Sequence, residues 1–77
     1  MARVRSFERM NANVRPHRTE VDCEYQAVRD GDVVYLHLST YGSDDRKSEK
    51  KVSQTLQLDR EGAAQLLVAI RETFPGL

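Results

Sequence analysis

The chain has 77 residues, 39% of them hydrophobic and 31% charged, with twelve basic and twelve acidic side chains and a formal net charge of zero. That length holds one small domain, no apolar run approaches the roughly 18 residues that cross a membrane, and no apolar segment follows the basic N-terminus as a secretory signal requires. The single cysteine, Cys23, excludes an internal disulfide and fits a reducing, cytoplasmic setting.

The balanced charge is unevenly spread. Residues 1–18 carry five Arg against Glu8, whereas residues 19–45 carry Arg29 against seven acids. Residues 46–51 are basic again, with four cations against Glu49. Two basic segments on an acidic body point to an anionic partner touched at defined places. They serve equally as solvated surface chosen for solubility.

Residues 1–18 lack clean periodicity. Val4, Phe7 and Met10 lie three apart, which allows a short helical turn, and Arg15-Pro16 then disfavours helix. The segment reads as a basic arm ahead of the body, ordered against a partner. Residues 19–29 alternate. Val21, Cys23, Tyr25 and Ala27 face one way, and Glu20, Asp22, Glu24 and Gln26 the other, the period of a half-buried strand. Asp30-Gly31-Asp32 is a tight hairpin turn.

Val33 to Tyr41 forms a second strand. Val34, Leu36, Leu38 and Thr40 share one face, while Val33, Tyr35, His37, Ser39 and Tyr41 share the other. Bulk on both faces marks a central strand. Gly42 to Lys50 has no apolar residue and reads as an exposed loop. Lys51 to Leu58 is a third strand, with Val52, Gln54, Leu56 and Leu58 on one face and Ser53, Thr55 and Gln57 on the other. Asp59 stands where an N-cap belongs, and Glu61 follows where the helix dipole favours an anion. Ala63, Leu66, Leu67, Ile70 and Phe74 recur at helical spacing, and Pro75-Gly76 ends the run.

The expected organisation is a basic N-terminal arm over residues 1–18 and a single β-β-β-α domain over residues 19–77. The fold class is α+β: an antiparallel sheet of three to four strands followed by one C-terminal helix. The expected core is Val21, Cys23, Tyr25, Val34, Leu36, Leu38, Leu56 and Leu58 against the helix. A chain this short buries a modest core, and a homodimer would cover both the thin core and the sheet edges.

The residues offer no enzyme chemistry. Ser39, Ser43, Ser48 and Ser53 lack a glycine-flanked elbow. Cys23, between Val21 and Tyr25, reads as a small core residue. No paired Cys or His spacing suits zinc, and Asp44-Asp45 lacks the remaining ligands of a calcium loop. Neither an enzyme nor a cofactor is expected. What remains is the outer strand face, where Tyr35, His37, Ser39 and Tyr41 lie beside Ser53, Thr55 and Gln57. Rings and hydroxyls next to basic loops can stack bases and contact phosphates. The same tyrosines can instead pack against another protein, and Glu20, Asp22 and Glu24 adjoin this face and would repel phosphate.

The run Glu24 to Val34, then Leu36 to Tyr41, the charged loop, and Leu56-Gln57-Leu58-Asp59 with its helix resembles the positive-cofactor-four family. These are transcriptional coactivators and small bacterial relatives, and the likeness covers roughly residues 21–74. The resemblance implies a curved antiparallel sheet followed by a helix, a homodimer, and single-stranded DNA held along the sheet face. The chain departs from the family pattern at Ser39, where an Arg is usual, and at Gln54-Thr55, where Lys-Gly is usual. Lys50 and Lys51 lie a little earlier. The resulting expectation is a small dimeric protein for single-stranded DNA or RNA, acting as a transcription cofactor. Tyr35, His37 and Tyr41 would stack on bases, and Arg46, Lys47, Lys50 and Lys51 would contact phosphates. The alternative is a protein-interaction or structural module on the same scaffold without DNA binding.

Overall fold

The computed structural model describes residues 1–42 and 51–77. It is an α+β arrangement: a four-stranded mixed sheet of order β1-β4-β3-β2, followed by one helix. The elements are β1 (Ala2–Val4), β2 (Cys23–Asp30), β3 (Val33–Tyr41), β4 (Val52–Leu58) and α1 (Arg60–Thr73).

The β2–β3 hairpin forms where its alternation and turn place it. Asp30 pairs with Val33, which leaves Gly31-Asp32 as the two-residue loop. Gly31 has φ of +62° and Asp32 does not share the positive region. That is the pattern of a II′ turn, whose first central residue is normally glycine. The strand starts later than its alternation indicates, at Cys23. β3 is central as expected, with β2 on one side and β4 on the other, both antiparallel.

Paired residues share a sheet face. Leu36 pairs with Ala27 and Leu58, and Leu38 with Tyr25 and Leu56. Those residues therefore form one face, the one α1 packs on. A register shift between Thr40 and Tyr41 sets Tyr41 opposite Val52 and skips Ser53. A bulge of this kind re-aims the side chains beyond it. Val52 thus pairs with an outer-face residue instead of continuing the row of Gln54, Leu56 and Leu58, and it is exposed.

The helix begins as its sequence directs. Asp59 is the N-cap in extended backbone, and its Oδ1 accepts from Gly62 N at 2.8 Å. Its carbonyl accepts the first helical bond, from Ala63 N. The Phe74 N–H reaches Ile70 O at 2.8 Å, and Pro75-Gly76 then turns the chain away. Burial fades along α1. Gly62 is buried, Ala63 and Leu66 are half-buried, and Phe74 is 58% exposed.

Two expectations fail here. The first concerns the arm. Residues 2–4 form β1, which pairs in parallel with β4 through Ala2–Leu56, Arg3–Gln57 and Val4–Leu58. Farther on, Phe7 N donates to Gln65 Oε1 at 2.9 Å and Arg9 pairs with Glu72. The arm is thus docked within its own chain, and the helical turn drawn from Val4, Phe7 and Met10 is absent. Val4 reaches the start of the helix: a Cβ on Gly62 would stand 3.5 Å from Val4 O, an ordinary contact, and a tighter 3.3 Å from the capping Asp59 Oδ1. The second concerns the core. Leu58, 1% exposed, is the one hydrophobic residue fully buried among the described residues. Cys23 is exposed and Tyr25 is 77% exposed, because both lie on β2, an edge strand beyond the helix.

Replacing Asp59 by Ala leaves Gly62 N without its acceptor and is expected to cost about 1 kcal/mol. A Leu58→Ala change is expected to cost more, about 2–5 kcal/mol, because it opens a cavity in the most enclosed position. Urea midpoints of the two variants check both values, and an inverted order would contradict this account of the core.

Candidate nucleic-acid interface

The face opposite the helix is assembled by the strand register. One row across it runs Arg3, Gln57, His37 and Gln26, and the next runs Thr55, Ser39 and Glu24. Tyr35 lies beside Val28 at one end of β3, and Tyr41 lies at the other.

The middle of this face is a hydrogen-bonded chain of three side chains. Gln57 Nε2 is 3.0 Å from His37 Nδ1, and His37 Nε2 is 2.9 Å from Ser39 Oγ. With the Gln57 amide donating to Nδ1, the ring carries its proton on Nε2 and donates it to Ser39. Ser39 is only 8% exposed. A buried hydroxyl needs such a partner, and His37 supplies it. His37 is fixed in orientation, with both ring nitrogens engaged.

Tyr35 and Tyr41 differ in surroundings. Arg3 lies across the Tyr35 ring, with Cζ 5.4 Å from the centroid, and its Nη1 donates to the Tyr35 hydroxyl at 3.0 Å. Contact of this kind is a cation–π pair. A base arriving at Tyr35 would meet the guanidinium plane first, and such planes also stack bases. Tyr41 donates its hydroxyl to Glu24 Oε1. Its backbone N–H donates to Asp22 O at 3.1 Å.

The result is a face with an electrical gradient. A hollow of about 540 Å³ on the β2 side is lined by Glu24, Gln26, His37, Ser39 and Tyr41 among others. A smaller pocket of about 270 Å³ on the β1 side is lined by Met1, Ala2, Arg3, His37, Thr55 and Gln57. The carboxylate belongs to the first and the guanidinium to the second.

Of the residues singled out from sequence, His37 and Tyr41 line one hollow together with Glu24, whereas Tyr35 is held by Arg3. Lys51 is exposed just before β4, with its carbonyl accepting from Gly42 N at 3.1 Å. Arg46, Lys47 and Lys50 lie outside the described residues. Arg3 was missed. It reaches the face only because β1 pairs with β4, and a three-residue strand carries no periodic signal.

Among the described residues, no group of His, Cys, Asp or Glu is placed to hold a metal ion. No described helix is long and apolar enough to cross a membrane. No family model matches the chain, and neither does any curated protein or solved structure.

Proposed function

We propose that this protein binds single-stranded nucleic acid, DNA or RNA, along the outer face of its sheet, without catalysis, as a homodimer closed through its helix side. The observation that carries this reading is the division of the sheet. The helix occupies one face, and the open face gathers Arg3, Tyr35, His37, Ser39, Thr55 and Gln57. Planar groups and a cation on an open strand face suit unpaired bases and their phosphates. Cations of the 46–51 segment would add backbone attraction from the end near Lys51. A cytoplasmic transcription cofactor is the biological role that fits.

The homodimer rests on surface area. A compact chain of 8.8 kDa exposes about 4,800 Å² by the usual scaling, whereas this one exposes 7415 Å². Its radius of gyration is 14.7 Å, against about 11.5 Å for a compact chain of this length. Part of the surplus belongs to residues 5–22, which form no helix or strand. Another part is apolar and lies on the helix side, where Tyr25, Val34, Leu67, Ile70 and Phe74 are exposed. A hollow of about 590 Å³ lined by Ala27, Val34, Leu36, Leu58 and Ala63, among others, lies on the same side. A standard interface covers about 800 Å² on each partner, so a second copy fits within that surplus.

One observation favours the second reading, a protein-interaction module without nucleic acid. Tyr41 is bound to Glu24, and that carboxylate repels phosphate.

Fluorescence anisotropy with a labelled single-stranded oligonucleotide at two salt concentrations tests the main reading. Binding should be measurable at low salt and weaken at high salt, since phosphate contacts release counterions; no binding at low salt overturns it. Light scattering on the native chain should give twice the chain mass. A Leu67→Lys change, which sets a charge on the exposed helix side, should give monomers. A monomeric native chain would refute the dimer.

A further inference from the structure

The pocket at the β1 edge of the outer face has a lining that differs from the rest of that face. Its volume is about 270 Å³, and Arg3, Thr55 and Gln57 bring polar side chains to it, beside the amino group of Met1. His37 also lines it, but both of its ring nitrogens are already engaged. Among the described residues, no carboxylate lines it. The guanidinium has five N–H groups, and one side of the fork is held by Tyr35, so the others are available. Thr55 adds a hydroxyl. Gln57 spends one of its two amide N–H groups on His37 and keeps its carbonyl oxygen as an acceptor.

The pocket therefore offers a guanidinium donor, an amide acceptor and a hydroxyl donor on adjacent rows of two neighbouring strands. Their complement is an edge that reads carbonyl, N–H, carbonyl. Thymine and uracil carry that imide edge. Cytosine replaces one carbonyl with an amino group, whose N–H would face the guanidinium donor. The volume suits one single-ring base, below the roughly 300 Å³ at which pockets for larger ligands begin. The Arg3 plane over Tyr35 provides a wall for stacking.

We propose that the pocket formed by Arg3, Thr55 and Gln57 receives one thymine or uracil base of the bound strand and gives the protein a preference for such strands. The proposal rests on the nucleic-acid reading above and adds sequence preference to it. It also gives β1 a role: by pairing with β4 it brings Arg3 to the edge of the pocket.

The test compares oligo-dT with oligo-dC of equal length, two pyrimidine strands with the same backbone charge. The native chain should bind oligo-dT roughly tenfold more tightly, the size of one well-made base contact. Arg3→Lys keeps the positive charge and loses the planar fork. It should bring the ratio close to one, with affinity for oligo-dT falling about tenfold further than affinity for oligo-dC, and with the salt dependence kept because the charge is kept. Equal affinity of the native chain for both strands overturns this proposal and leaves the nucleic-acid reading standing. A preference that persists in Arg3→Lys likewise overturns it. Failure of both strands to bind at low salt overturns the parent reading and this proposal together.

Discussion

A helix about 10 Å across covers roughly two strands spaced about 4.8 Å apart, and this sheet has four. That mismatch governs the molecule. The helix settles over β3 and β4, the two interior strands. Leu58, at the end of β4 and directly before the capping Asp59, is pressed between the layers. Everything farther out is left thinly covered. β2 keeps Cys23 and Tyr25 in solvent, and the second half of the helix keeps Leu67, Val68 and Phe74 there. Apolar side chains are thus left exposed on β2 and along the second half of the helix.

The opposite face is organised by polar pairing. His37 is held between Gln57 and Ser39 at the centre of the sheet. The variable element is the charge at its margins, Glu24 toward β2 and Arg3 toward β1. An anionic strand crossing such a face would favour the β1 side, because like charges oppose approach at the other margin.

The parts of this fold that could be read from the residues are those governed by local rules. Alternation located β2 and β3, Gly31 located the turn between them, and Asp59 located the start of the helix to the residue. The parts that escaped depend on distant partners. Ala2, Arg3 and Val4 become a strand only because Leu56, Gln57 and Leu58 stand beside them, and three residues are too few to show a period. Val52 changed its pairing through a bulge that alternation cannot reveal. Cys23 and Tyr25 carry the correct pattern for the inner face, yet pattern states orientation and not coverage. At the candidate site, Tyr35, His37 and Tyr41 followed from alternation, whereas Arg3 needed the parallel pairing, and the opposed settings of the two tyrosines needed the positions of Arg3 and Glu24.

The small β1 strand has a consequence for handling the molecule. It hydrogen-bonds the second half of β4 and is seated against the helix at Gly62. Without it, the outer N–H and C=O groups of Leu56 to Leu58 would lie open along a sheet margin, a template on which other chains can add strands and aggregate. Residues 2–4 thus act as a built-in guard. Proteolytic clipping near the N-terminus, or a bulky tag fused there, strikes at that guard, whereas a tag placed after Leu77 leaves it in place.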